Sequence, residues 1–216
     1  MQLEMERQMS QQQGTSPPSP RQGLLFVLSA PSGTGKDTVI NTARAQGMDF
    51  FVVPSVTTRP PRPGESEGNP YRFVSKETFE DLVGKDELLE FANVHGNWYG
   101  QPRQPIRDNL SAGRDVLLKI DVKGAATVRK KAPQAIFIFL VPDSLEELAA
   151  RLTKRNTETE EELKRRLEDA HTELAEQDWY DYVITNRQGH VAEAAEQLRA
   201  IITAEHSRVH PRHVTI

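Results

Sequence analysis

The sequence predicts an α/β fold: an open parallel sheet flanked by helices, with a small inserted lobe and a helical lid. Short unbroken apolar runs recur at Gly23 to Ser29, Val116 to Ile120, Ile136 to Val141 and Tyr182 to Thr185, each the length of a strand buried on both faces. Each is followed by a polar turn and then by helical spacing, the alternation that builds a parallel sheet. Two stretches break that rhythm. Residues 55–100 open on a Pro-rich segment and go on to Tyr71-Arg72-Phe73-Val74, a short helix near Ser75 to Val83, and Leu88-Leu89-Glu90-Phe91. They read as a lobe with its own antiparallel strands. Residues 155–178 are densely charged at helical spacing and read as a solvent-facing lid.

The 216 residues accommodate one domain, predicted over 23–204, with a closing helix over 191–204. Residues 1–22, with a Gln run and Ser16-Pro17-Pro18-Ser19-Pro20, read as a disordered tail, and 205–216 as a C-terminal tail. Lys plus Arg is 27 against 31 for Asp plus Glu, a formal charge of -4 and a pI near 5.9. That balance argues against a nucleic-acid or anionic-membrane surface, so any anion site must be local. Cysteine is absent, which excludes disulfides, thiolate metal ligands and cysteine nucleophiles and fits a reducing cytoplasm. The longest apolar runs are strand-sized, short of the roughly 20 residues of a spanning helix, so no membrane location is expected.

Ala30-Pro31-Ser32-Gly33-Thr34-Gly35-Lys36-Asp37-Thr38 joins the first strand to the first helix, the context a nucleotide phosphate loop requires. Glycines at 33 and 35 let successive N–H groups turn inward toward phosphate oxygens, and the helix start adds its positive end. Lys36 is placed to reach the outer phosphates. The usual pattern has Gly where Ala30 stands and a Mg²⁺-ligating hydroxyl where Asp37 stands. Asp37 is therefore the candidate metal ligand, with Mg²⁺ accompanying ATP.

A second strand, Phe50 to Val53, leads to Ser55-Val56-Thr57-Thr58-Arg59-Pro60-Pro61-Arg62-Pro63-Gly64-Glu65. Two arginines on a Pro-stiffened segment are preset to grip a dianionic phosphate. This segment, with Tyr71, Glu90 and the Gly96-Asn97-Trp98-Tyr99-Gly100 turn, resembles the guanylate kinases from about Leu24 to the last helix.

The resemblance implies a P-loop kinase fold whose inserted lobe binds the acceptor and whose lid closes over ATP. It implies phosphoryl transfer from ATP to GMP, and it leaves open both the use of dGMP and the choice between monomer and homodimer; a cytoplasmic location is expected from the lack of cysteine and of a membrane segment. It puts Arg59, Arg62, Tyr71 and Tyr99 on the GMP phosphate, Ser55 and Glu90 on guanine, and Asp121 near acceptor and metal. A carboxylate at Glu90 can accept from N1–H and the 2-amino group, a donor pair adenine lacks. Arg151, Arg155 and Arg166 match arginines that converge on the ATP phosphates, and Asn186 an asparagine near adenine.

Four positions depart from the commoner pattern. Besides Asp37, Gln101 replaces a small hydroxyl residue, its amide N–H₂ still able to donate to guanine O6. Lys119 stands where an acidic residue is frequent, and Asn156 replaces a glycine at the start of the lid. Aspartate after the loop lysine also occurs in kinases of ribose bisphosphates. A related class of non-catalytic binding modules usually lacks the lysine that this chain keeps.

Overall fold

The structure, a computed structural model, describes residues 22–62, 64–68, 70–94, 96–153 and 160–216. The chain opens with β1 (Leu25–Ser29), α1 (Lys36–Ala45), β2 (Phe51–Val52) and β3 (Ser55–Thr57). The lobe continues through β4 (Ser66–Glu67), β5 (Pro70–Phe73), α2 (Lys76–Gly84), β6 (Leu88–Val94) and β7 (Asn97–Pro102). The core resumes with α3 (Arg103–Ser111), β8 (Val116–Ile120), α4 (Val122–Lys131) and β9 (Ile136–Pro142). After α5 (Leu145–Thr153), α6 (Glu160–Leu174) and a 3₁₀ turn at Ala175–Trp179 come β10 (Tyr182–Asn186) and α7 (Val191–His206).

The main sheet is wholly parallel, in the order β10-β9-β1-β8-β2. Alternate residues of its strands enter two separate cores. Leu25, Val27, Leu118 and Phe137 pack on one face with Ile106 of α3 and Val122, Ala125 and Val128 of α4. Phe26, Leu28, Leu117 and Ile138 pack on the other with Val39 and Ile40 of α1 and Ala194 and Leu198 of α7. Both faces are dry, which is why these runs lack polar alternation; each large side chain so buried contributes about 1.5–3 kcal/mol.

That packing fixes the position of the site. Neighbouring strands β1 and β8 continue into helices on opposite faces, α1 and α4. A crevice opens between their carboxyl ends, the topological switch point where open α/β sheets bind ligands.

The lobe sheet, in the order β4-β5-β3-β7-β6, is mixed and not antiparallel throughout. The β3–β7 and β6–β7 pairs are antiparallel, whereas β3–β5 and β4–β5 are parallel, because the Pro-rich loop carries the chain back before β5 begins. The stretch expected as a turn at 96–100 is mostly strand β7. The chain reverses at Gly96, whose φ of 83° suits only a residue without a side chain, and the aromatics Trp98 and Tyr99 then favour extended pairing.

The charged segment is also less solvent-facing than expected. Ala170 of α6 is buried against Leu148 and Leu152 of α5. Residues 154–159, including Arg155 and Asn156, lie outside the described residues, as does the expected N-terminal tail up to residue 21. Among the described residues no helix is long and apolar enough to cross a membrane.

The expected C-terminal tail is docked instead. Val214 is buried, Gln22 Nε2 donates to its carbonyl at 3.0 Å, and Arg107 Nε donates to the Ile216 carbonyl at 2.7 Å. Glu205, only 1% exposed, accepts from Arg212 Nε at 3.1 Å and from the Tyr182 hydroxyl at 2.7 Å. Short polar segments with a few apolar residues give no periodicity by which such docking could be read. Arg212→Ala removes a charge-assisted hydrogen bond to this buried carboxylate and should cost about 2 kcal/mol, a fall in Tm of roughly 6 °C for a chain of this size. An unchanged Tm in thermal denaturation would show that the docking does not matter.

Candidate active site

Gly33 and Gly35 hold φ of 88° and 98°, a left-handed conformation that curls the loop over the start of α1. Neither tolerates a side chain: a Cβ at Gly33 would fall 2.7 Å from Leu152 Cδ2, and one at Gly35 2.6 Å from Asn186 Nδ2. Within the loop, Thr34 Oγ1 donates to the Pro31 carbonyl at 2.9 Å, and Thr38 is exposed on the first turn of α1.

Asn186 and Arg151 brace the loop from outside. Asn186 Nδ2 donates to the Thr34 carbonyl at 2.7 Å. Arg151 Nη1 donates to the same carbonyl at 2.9 Å, and its Nη2 bonds the Asn186 carbonyl at 2.9 Å and the Glu147 carboxylate. Arg166 reaches the loop from the lid, its Nη2 donating to Ser32 Oγ at 2.5 Å.

Lys36 Nζ donates to the Ala30 carbonyl at 2.8 Å. Burial lowers its pKa to about 8, and nearby Glu173 and Asp121 oppose the shift. Asp37 is not a lone carboxylate: Lys119 Nζ, from the end of β8, donates to its Oδ1 at 2.5 Å. The two departures at 37 and 119 therefore meet each other.

The other half of the cleft is built by the lobe. Arg59 is clamped by Glu65, Nη2 lying 2.9 Å from both carboxylate oxygens, and its guanidinium carbon lies 5.3 Å from the centre of the Tyr71 ring. Tyr71 and Tyr99 meet edge to face at 5.7 Å. Arg62 is exposed and gives Glu65 its main-chain N–H at 2.7 Å. Gln101 Nε2 donates to Ser55 Oγ at 2.6 Å, leaving the buried Oε1 without a partner among the described residues. One N–H of the amide expected to serve guanine O6 is thus taken by Ser55, while the second N–H remains a donor.

Glu90 is 3% exposed. Burial, helped by Asp121, pushes its pKa up to about 8. Its carboxylate sits against α4, where a Cβ at Gly124 would lie 2.8 Å from Oε2. Asp121 caps that helix, Oδ1 accepting from the Gly124 N–H at 2.7 Å.

Both halves open into one cleft of about 690 Å³, lined among others by Lys36, Asp37, Tyr71, Glu90, Gln101 and Arg166. Another cleft of about 700 Å³, near Pro54, Arg72 and Asp108, holds none of the sequence-predicted site residues. Sequence reasoning missed Glu173, a cleft-lining carboxyl that burial raises to about 7, and Glu65. Glu173 stands in a strongly charged stretch where one more acid carries no signal, and Glu65 in a Pro/Gly-rich loop whose partners only the fold reveals.

A glycine loop at a helix start, with its lysine lining one end of a cleft, suits a polyphosphate. A buried carboxyl and paired tyrosines at the other end suit a second, base-bearing molecule. Fold and site together define a nucleotide phosphotransferase of the P-loop kinase class.

The comparisons narrow this class. The Guanylate kinase family model matches residues 22–205. The guanylate kinase of Synechococcus sp. (strain JA-3-3Ab) is 45% identical over 194 residues, 90% of this chain and 88% of that protein. That of Thermobifida fusca (strain YX) is 48% identical over 180 residues, 83% and 91% of the two chains. The crystal structure of guanylate kinase from Anaplasma phagocytophilum matches with a TM-score of 0.71 at 35% identity, covering 88% and 89% of the two chains. The chain belongs to the guanylate kinase family and is an ATP:GMP phosphotransferase.

The Glu90 environment has a stability consequence. A carboxyl held near 8 when folded and near 4.3 when unfolded stabilises the native state through its bound proton. That contribution is complete below about pH 4 and is lost as pH rises toward 8. Glu90→Gln carries no such proton, so between pH 5 and 8 its stability should gain on the parent by on the order of 3 kcal/mol. A pH-independent difference in urea denaturation would contradict the buried, protonated carboxyl.

Proposed function

We propose that the chain transfers the γ-phosphoryl group of ATP to GMP with the site residues read from its sequence, among which Lys36, Tyr71, Glu90 and Arg166 line one cleft. The loop from Ala30 to Thr38 holds the polyphosphate through its N–H groups, and Lys36 follows the outer phosphates. Arg151, Arg155 and Arg166 supply positive charge as charge spreads over the transferring group, where catalysis is mainly positioning and electrostatic stabilisation. Arg166 is already at Ser32; for Arg151 this role requires release from the Thr34 and Asn186 carbonyls. Asn186, bonded to the Thr34 carbonyl, is the residue this reading sets near adenine.

Arg59, Arg62, Tyr71 and Tyr99 hold the GMP phosphate. Glu90 reads the guanine N1–H and 2-amino group, with Ser55, Gln101 and Asp121 around it. A half-turn of the Gln101 amide exchanges its donor and acceptor, and the Ser55 hydroxyl can partner either, so the pair can also serve O6.

The donor set fits Mg²⁺ through Asp37, whose carboxylate is 72% exposed at the cleft, since Mg²⁺ takes one or two protein oxygens beside phosphates and water. When bound, Mg²⁺ supplies neutralisation of phosphate charge. The reaction is assigned to the cytoplasm and to a monomer or homodimer, with dGMP a further acceptor.

The observation that carries this reading is the buried carboxyl of Glu90 facing the same cleft as Lys36. A ribose bisphosphate acceptor offers no N–H pair for it, and a module that only binds peptides has no use for the lysine.

Two outcomes follow. Guanine donors favour the ionised carboxylate, so GMP binding at pH 7 should expel about one proton from Glu90. Titration calorimetry in buffers of different ionisation enthalpy reads this directly, and Glu90→Gln should abolish it while raising KM for GMP far more than for ATP. Equal KM effects would remove Glu90 from the acceptor site. Lys36→Ala should lower kcat by about 10² or more with little change in Tm; near-normal turnover would sink its assignment.

A further inference from the structure

Lys119 stands at the carboxyl end of β8, beside the loop of β1. Its side chain is only 11% exposed, while its partner carboxylate on Asp37 is 72% exposed. The ammonium lies 2.5 Å from Asp37 Oδ1 and 5.3 Å from the centre of the Tyr71 ring. It therefore stands between the phosphate loop and the tyrosine of the acceptor half, within the cleft that Lys36 lines.

Two ammonium groups facing one space repel each other, and Lys119 does help depress the Lys36 pKa. A polyanion between them turns that repulsion into attraction for both. A cation on the nucleotide that shares the Asp37 carboxylate neutralises it and weakens its hold on Lys119. A phosphate passing between loop and acceptor then offers the ammonium a new anionic partner, and the aromatic face of Tyr71 stabilises it on that side.

We infer that Lys119 is a second phosphate-contacting lysine: it pairs with Asp37 and turns to the transferring phosphoryl group when substrates bind. This deepens the site reading above and rests on it. Lys119 thus acts at the point where the two halves of the cleft meet. A lysine that merely balanced Asp37 would lose its importance once Asp37 was made neutral, and that difference provides the test.

Tripolyphosphate binding is measured by calorimetry in EDTA, so no metal or turnover enters the readout. It is applied to the full chain, Lys36→Ala, Asp37→Asn, and Asp37→Asn combined with Lys119→Met. Direct contact predicts that Lys119→Met weakens binding at least fivefold even in the Asp37→Asn background, and that kcat of Lys119→Arg exceeds that of Lys119→Met at least fivefold. A loss under fivefold in that background overturns the inference and leaves Lys119 a counter-ion of Asp37. If the double variant does not fold, Asp37→Asn with Lys119→Gln is read by the same threshold. Failure of the unmutated chain to bind, or an unchanged Lys36→Ala, would instead reject the phosphate-loop reading itself.

Discussion

The site depends on one constraint of chain path: β1 and β8 lie side by side in parallel, yet the helices that follow them pack on opposite faces of the sheet. Nothing can fill the gap at their carboxyl ends without crossing the sheet. Each strand therefore delivers its next residues into open space. β1 delivers the glycine loop and Lys36; β8 delivers Lys119 and Asp121. The two dry cores hold this edge rigid, so a shift of either strand would have to break packing on both faces.

Charge at this edge is arranged against itself. Burial brings Lys36 down to about 8 and Glu90 up to about 8, each toward its neutral form. Folding tolerates these groups because the rest of the sheet is apolar and well packed, and a local loss of stability at a working site is common. ATP and GMP carry the complementary partners: phosphate oxygens for the cations and an N–H pair for the carboxyl. In the proposed reading binding converts an electrostatic cost into recognition, and adenine, lacking the donor pair, leaves Glu90 without that gain.

The buried strands were legible from sequence because parallel strands covered on both faces are continuous in hydrophobicity. The loop from Ala30 to Thr38 was legible because its chemistry is local. The lobe was harder. Its strands are short and half exposed, and Trp98 and Tyr99 look alike in a turn or a strand until their partners across β6 are known. Pairing across the cleft was not legible at all. Asp37 and Lys119 stand 82 residues apart, and each alone looks like a departure from a familiar pattern. Together they form one ion pair. Glu173 was hidden among other acids and Glu65 in a Pro/Gly-rich loop, and the docking of the C-terminal segment rests on single contacts with no repeat to reveal them. The family assignment is established by similarity along the chain; the residue roles are proposals, drawn from the family resemblance and supported by the chemistry of the cleft.

The central claim is that one cleft joins an ATP half to a guanine-reading half. Its most direct test is the steady-state release of ADP from ATP, with GMP, AMP or a ribose bisphosphate supplied as the only acceptor. The account predicts rapid release with GMP and a kcat/KM lower by on the order of 10⁴ with AMP, the scale set by leaving a buried polar reader unpaired. Release that is independent of GMP, or as fast with AMP or the sugar phosphate, would contradict it.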